Sequence, residues 1–375
     1  MEAAEAVGAC ALGAVPGMGP RRLWMVARQL GSFAAALEAG PAGLLAQAEA
    51  LGLRQDTREY LAAGPKLDEL GLWAVAEARR AGAAVVLAGE ARYPALLLAT
   101  PDPPPLLYVR GSLAAEAKRA AVVGSRAVDR AGAELARQLG EDLARAGVEV
   151  VSGGARGVDS AAHAGALWGG GATVAVLGCG IDQAYPPENV DLFHRIASEG
   201  GAVVSEFTPG TGPLRPNFLR RNRTIAALSH ATVVVRAAAG SGALATASHA
   251  VAQGRALFAM RGDATHRLSK GTSELIDSGA ARPLAGALDL LACLAWPAPA
   301  PNPKRDAAHQ KESAPAGLDA KGRAVWAVLD ARTPLQVDEL AARAQLPARE
   351  ALRILTGLEL SGLCTQKPGK QFQRC

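Results

Sequence analysis

The spacing of apolar positions changes character twice along the chain. Over residues 1–78 apolar side chains recur at helical intervals. Within that region Leu12–Leu30, LGAVPGMGPRRLWMVARQL, sets a Pro-Gly-Met-Gly turn between two such stretches, and Pro20 suits the first turn of the second. This predicts a small helical domain of SAM or helix-hairpin-helix type over 1–78. Its glycine turn either lays backbone N–H groups against a DNA phosphate or simply joins two helices. From about 82 to 295, short aliphatic runs alternate with amphipathic stretches. Strands are predicted at Ala120–Val123, Glu149–Val151, Thr173–Leu177, Ala202–Ser205, Ala231–Val235 and Ala256–Ala259, with helices over Gly132–Ala146 and Ser160–Trp168. Such alternation predicts an α/β fold: an extended Rossmann-like core, its parallel sheet covered on both faces. Ahead of it Tyr93–Gly111, YPALLLATPDPPPLLYVRG, reads as a proline-stiffened approach that is no central strand.

Residues 296–317 are rich in Pro and Ala and predict a linker. Helical periodicity returns over 318–375, where VDELAARAQLPAREALRILTGLE has helix-turn-helix spacing with Leu346-Pro347 at the turn. The terminal CTQKPGKQFQRC adds a β-wing with Pro368-Gly369-Lys370 at its tip, so this segment reads as a winged helix.

In open α/β sheets ligands gather beyond the carboxyl ends of the strands. There this chain places Gly124-Ser125-Arg126, Ser152-Gly153-Gly154-Ala155-Arg156-Gly157, Gly178-Cys179-Gly180-Ile181-Asp182 and Ala239-Gly240-Ser241-Gly242, the last opening a helix that contains Thr246. Glycines let a backbone approach a ligand, and exposed turn amides bind anions, with Arg126 and Arg156 adding charge. Any one of these loops reads better as a tight strand-to-helix connection than as a ligand site; several together favour an anion site. The first turn, GSRAVD, is not the GxGxxG of a dinucleotide site, and GxxxxGK[ST] is absent, so no cofactor is expected.

The segment Arg215–Thr224, RPNFLRRNRT, gathers Arg215, Arg220, Arg221 and Arg223 with no acid among them, together with Asn217, Phe218 and Asn222. Guanidinium groups grip phosphates and stack on bases, and an interleaved aromatic can serve as a base platform. Burial in the core is the commoner fate of a phenylalanine, and a solvated basic helix face is the plain alternative for the arginines. Asp159 and His163, four residues apart, suit helix capping better than a metal site. Cys179 lacks a nucleophile elbow and a His–Asp partner and reads as a buried thiol. Nothing in the sequence brings Glu206 and Asp182 together as paired acids, and the remaining histidines show no metal-ligand spacing.

Composition narrows the class without naming it. The 375 residues are 49% hydrophobic and 20% charged with a net charge of +5, the balance of a soluble protein of two or three domains that can take a polyanionic partner. No apolar run is long enough to span a membrane, and the acidic start MEAAEAVGAC is no secretory signal. Five scattered cysteines without a CxxC pair predict a cytoplasmic setting.

These motifs together carry a resemblance. GSR at 124–126, VSGGARGVDSAAH at 151–163, VAVLGCGIDQAYPPENVDL at 174–192, SEFTPG at 205–210, NFLRRNRTIAALSHATVVV at 217–235 and SGALATASHAVAQGR at 241–255 are collinear with the DNA-processing protein A (DprA, Smf) family, as is the lead-in at 93–111. The resemblance implies an extended Rossmann fold, homodimerisation and cooperative binding of single-stranded DNA. It also implies delivery of incoming strands to a RecA-type recombinase past single-strand-binding protein in natural transformation. It places DNA contacts at Ser125 and Arg126, at Gly153, Arg156 and Gly157, at Asn217, Phe218, Arg220, Arg221, Asn222 and Arg223, and at Ser241, Gly242 and Thr246. Two positions depart from the family pattern: Arg236 stands where Glu is common and Arg261-Gly262 where Pro-Gly is, both raising positive charge. Two other classes compete. A nucleotide-cleaving Rossmann-like enzyme would carry PGGxGTxxE where this chain has AAGSGALATASHA, without the glutamate. A duplex-binding regulator would read DNA with Arg349–Leu360, whose basic residues are Arg349 and Arg353.

Overall fold

Aliphatic runs of four or five residues can bury both faces, and here they build one sheet. The computed structural model describes residues 2–262, 266–298, 318–329, 335–367 and 371–374. Linker residues from 299 onward and the wing tip Pro368–Lys370 lie outside the described residues. The sheet strands are β1 (Ala83–Leu87), β2 (Leu106–Gly111), β3 (Arg119–Val123), β4 (Glu149–Ser152), β5 (Thr173–Val176), β6 (Ala202–Ser205), β7 (Ala231–Val234), β8 (Ala256–Met260) and β9 (Arg282–Leu284). Their spatial order is β1-β2-β6-β5-β4-β3-β7-β8-β9. From β6 to β9 every pairing is parallel, while β1–β2 and β2–β6 are antiparallel.

Side-chain alternation sorts each strand between two cores. In β3, Ala120 and Val122 pack with Ala136, Leu139 and Leu143 of the helix Arg130–Arg145. Ala121 and Val123 point the other way, toward Ile225 and Ala226 of the helix Arg215–Ala227 and Ala243 and Ala247 of the helix Gly242–Ala252. The chain leaves β3 toward β4, β5 and β6 on one side, then returns to lay β7 on the other. The β3/β7 boundary is therefore the topological switch point, where a crevice opens between diverging loops.

The expected six strands form with ends within about one residue, the accuracy any boundary carries. Strands β1, β2 and β9 were not expected. For β2 this is a correction: Leu106–Gly111 is flanked on both sides, so it is an interior strand. The prolines at 101 and 103–105 all precede it, and the strand itself keeps every donor.

Five helices precede β1: Glu2–Ala14, Pro20–Leu30, Phe33–Ala46, Gln55–Ala62 and Leu67–Arg80. They share a core with the sheet, since Leu12, Leu23 and Ala74 join one cluster with Tyr108, Leu177 and Val203. The Pro16–Gly19 hairpin forms as read, and Trp24 Nε1 ties it to the proline loop by donating to Pro103 O at 2.8 Å. Residues 1–300 form one unit and 301–375 another. The second packs the helices Ala320–Val328, Val337–Arg343 and Ala348–Leu360 on a three-stranded sheet around Trp326, Leu340, Leu355 and Phe372, a winged helix. Among the described residues no helix is long and apolar enough to cross a membrane.

Candidate nucleic-acid interface

A cleft of ≈ 700 Å³ opens at the switch point. One wall is the Gly124–Arg126 loop after β3, the other the Gly240–Gly242 loop after β7, and the helix Arg215–Ala227 forms the third side. At its centre sits Phe218. The Arg126 guanidinium lies 5.3 Å from the ring centroid and Arg221 lies 5.9 Å from it, while the Tyr185 ring centroid is 5.4 Å away. Phe218 is half-buried rather than in the core. Arg126 is exposed, and its side chain has no hydrogen-bond or ion-pair partner among the described residues. Arg215, also exposed and on the cleft, shares that property.

Arg221 behaves differently. It is only 3% exposed, and its Nη1 donates to Gly153 O at 2.6 Å and to Val176 O. Burial brings its pKa down to about 10, with Asp159 opposing and Arg126 adding to the shift, so it stays charged at neutral pH. Gly153 exists for this contact: a Cβ there would stand 2.6 Å from the guanidinium. Gly157 has φ +78°, and a Cβ on it would meet Ser125 O at 2.4 Å. Both glycines are thus required by packing of the protein against itself, and Gly153 also lines the pocket at the Arg126/Phe218 end of the cleft. Gly240 and Gly242 differ in facing open space. The helix after them starts at Gly242 without a side-chain cap, leaving its first amides and the partnerless Ser241 hydroxyl beside the cleft. Asn222 steadies this turn by donating to Gly242 O at 3.2 Å, and Thr246 is buried below it.

The arginine-rich helix has an acid the local sequence hides. Glu206, after β6, has a side chain 1% exposed and holds Arg220 at 3.1 Å and Arg223 at 3.6 Å, while Thr224 Oγ1 donates to it at 2.8 Å. Arg220 and Arg223 therefore leave the helix away from Phe218, toward the N-terminal hairpin. Asn217 sits at the helix start, half-buried. Arg156 reaches the Arg126/Phe218 end of the cleft, exposed and ion-paired with Glu188.

Asp159 is not a helix cap. Its Oδ2 accepts from Gly153 N at 3.1 Å and Ala155 N at 3.4 Å, so it folds the GGARG loop back on itself. Burial raises its pKa, against the pull of Arg221. His163 does not pair with it; its Nδ1 meets Thr173 Oγ1 at 2.8 Å, and burial lowers its pKa to about 3. Cys179 is buried, its thiol pushed up to about 11 by that burial, and Asp182 accepts from Gly210 N rather than facing Glu206. Arg236 misses the cleft. Its aliphatic stem lies against Gly132 and its guanidinium against Gly262, while its carbonyl accepts from Ser125 N at 2.7 Å. Arg261 pairs with Asp277 at 3.7 Å. Tyr185 belongs to no charged or glycine-rich motif, and its signal in the sequence is an aromatic followed by Pro186-Pro187 in the loop after β5.

The profile of the DNA recombination-mediator protein A family matches residues 84–295, more than half the chain and all of the cleft. The chain belongs to that family. The profile of the DprA winged helix domain matches residues 297–370. Protein Smf of Escherichia coli is 40% identical over 284 residues, covering 74% of this chain and 74% of that protein. DNA processing protein A from Streptococcus pneumoniae superposes with a TM-score of 0.64 at 28% identity, covering 77% of this chain and 97% of that one. The same protein from Helicobacter pylori, whose structure was described for its single-stranded-DNA binding mode, superposes at 0.50 and 29% identity over 54% of this chain and 92% of its own. The DprA resemblance carried by the glycine and arginine motifs is thus met across both units.

Proposed function

We propose that this chain is a non-enzymatic mediator that binds single-stranded DNA in the switch-point cleft. The observation that carries the reading is a partnerless guanidinium over a half-buried aromatic ring on the cleft: Arg126 at 5.3 Å from the Phe218 centroid, with the part-exposed Tyr185 beside it. A flexible strand can lay phosphates on Arg126, Arg156, Arg215 and the Gly242 and Ala243 amides while offering an unstacked base to the ring. A duplex keeps its bases stacked and gains only the phosphate contacts. The single-strand binding described for the Helicobacter pylori protein supports the same reading. Against catalysis stands the state of the candidate groups: the Cys179 thiol is pushed up to about 11, and Asp159 and His163 are buried in contacts with the protein itself.

The proposal extends to the role the family resemblance implies. A homodimer in the cytoplasm would bind incoming strands in natural transformation and load a RecA-type recombinase onto them past single-strand-binding protein. The deciding measurement is fluorescence anisotropy with single-stranded and duplex DNA of equal length. Preference for the single strand by about tenfold or more is expected, the value of one stacked base. Equal or tighter duplex binding overturns the reading.

A further inference from the structure

A second groove runs along the other face of the arginine helix, between that face and the N-terminal hairpin. Arg21, Arg22, Arg220 and Arg223 line one section of ≈ 490 Å³. This section shares Gly19, Pro20, Arg22 and Arg220 with a neighbouring section of ≈ 610 Å³ that ends at Trp73. Trp73 is 42% exposed, a large apolar surface left in contact with water.

Arg22 and Arg220 are held in place yet keep donors to offer. Arg22 is fixed by donating to Gly52 O at 3.0 Å and Gly17 O at 2.9 Å. Arg220 is anchored through Nε alone, whereas Arg223 is held within the protein, its Nη2 buried 3.6 Å from Glu206 and its Nη1 donating to Asp102 O. Arg21 is exposed with no partner among the described residues. The helix Pro20–Leu30 begins here with no side-chain cap, and Pro20 brings no N–H, so the amides of Arg21 and Arg22 are the unpaired donors of its first turn. Against four cations the groove presents Glu206, buried beneath two of them, and Asp102, whose backbone carbonyl accepts from Arg223. A positive trough with anchored guanidinium groups and an indole at one end has the chemistry of the first cleft again.

We infer that this hairpin groove takes a second stretch of the same single strand, phosphates at Arg21, Arg22 and Arg220 and a base against Trp73. The inference rests on the single-strand reading of the switch-point cleft. The connection is the helix Arg215–Ala227, which sends Phe218 and Arg215 into one site and Arg220 and Arg223 into the other. A helix is about 10–12 Å across with its side chains, a width that a flexible strand crosses in a few nucleotides. The hairpin thereby becomes a length sensor: short strands fill the cleft alone, longer ones engage both grooves.

The test uses the full chain, a thymidine oligonucleotide of about 6 nucleotides and one of about 25, which bracket the size of a single-strand site. Arg21→Glu touches no protein partner, and binding of the short strand reports that the cleft remains folded. It is expected to leave short-strand affinity unchanged, to lower long-strand affinity about tenfold and to reduce the long-strand log–log salt slope by about 0.7 or more. Trp73→Ala should weaken only the long strand and leave the slope intact. Unchanged long-strand affinity in both variants, with Arg126→Ala still defective, overturns the groove and leaves the cleft standing. Equal loss on both lengths also overturns it, because the hairpin would then act through the fold. If Arg126→Ala binds normally too, it is the cleft reading that has failed.

Discussion

The helix Arg215–Ala227 and the loop Gly124–Arg126 flank the same cleft and treat arginine in opposite ways. Of four arginines in the helix, Arg221 is buried on two backbone carbonyls, and Arg220 and Arg223 share Glu206. The loop has one, Arg126, exposed and without a partner beside an aromatic ring. The charge-dense segment is thus largely built into the protein, while the sparse one presents its cation to solvent. Density of charge in a sequence reports a requirement for charge; it does not report which partner meets it. A buried guanidinium needs its hydrogen bonds satisfied internally, because leaving them unmade costs about 1–3 kcal/mol each. An exposed one loses little by exchanging water for phosphate.

The sharpest way to break this contrast is Arg221→Met. It should destabilise the protein by about 2–5 kcal/mol, because the carbonyls of Gly153 and Val176 lose their donor and buried Asp159 loses its compensating charge. Urea unfolding measures this. A variant of unchanged stability that has lost DNA affinity would make Arg221 a ligand contact like Arg126, and the contrast would disappear.

A smaller effect is expected from the free side. Arg126→Ala should leave unfolding unchanged within experimental scatter, weaken single-strand binding about tenfold and lower the salt slope by about 0.7. Its neighbour sharpens the point. Phe218→Leu should weaken binding by a similar factor, about that of one stacked base, without changing the slope, since it carries no charge. If Phe218→Leu instead lowers the melting temperature and leaves affinity intact, the ring is packing and the cleft has no base platform.

Stability should also depend on pH through a group remote from this contrast. Buried His163 has a folded pKa of about 3 against an unfolded value of 6.5. Its contribution is complete above pH 6.5 and is lost progressively as pH falls from there toward 3, because the unfolded chain takes up the proton first. Asp159, with its folded pKa raised, works in the opposite sense just above the ordinary carboxylate range. His163→Asn, which keeps a polar atom for Thr173, should flatten the melting-temperature profile between pH 6.5 and 4. A profile as steep as the wild type would place the acid sensitivity elsewhere.

What was legible in the sequence follows the same division between local and non-local causes. The central parallel strands were legible because their aliphatic runs are bounded by glycine turns and both of their faces are buried. β2 was not, since the prolines before it masked a strand whose partners, β1 and β6, lie far apart in sequence. The cleft residues were legible as a set of motifs. Their division of labour was not, because Glu206 stands 14 residues from Arg220, and the carbonyls that hold Arg221 belong to β5 and to the loop after β4. Asp159 misled for a related reason: at the start of the helix that follows the glycine loop it looks like a cap, but the loop doubles back to reach its carboxylate first.

Arg156 lies between the two extremes and should give the smallest effect. It is exposed like Arg126 yet engaged like Arg220, through an ion pair with Glu188 that is itself exposed. Exposed pairs are weak, so a phosphate can displace the carboxylate, but the strand must compete for the guanidinium and sits near a negative charge while doing so. Arg156→Ala removes the cation and leaves Glu188 facing the strand, and the loss should be about two- to fourfold, less than for Arg126→Ala, because part of the interaction was already held by Glu188. Glu188→Gln separates the contributions. It frees Arg156 without altering its reach, so affinity should rise about two- to threefold and the salt slope should steepen toward that of a fully available contact. In an Arg156→Ala background the same change should give a smaller gain, that of removing a nearby repulsive charge alone. If Glu188→Gln weakens binding, the carboxylate is holding Arg156 in its working position, and the pair belongs with the locked arginines of the helix rather than with the free one of the loop.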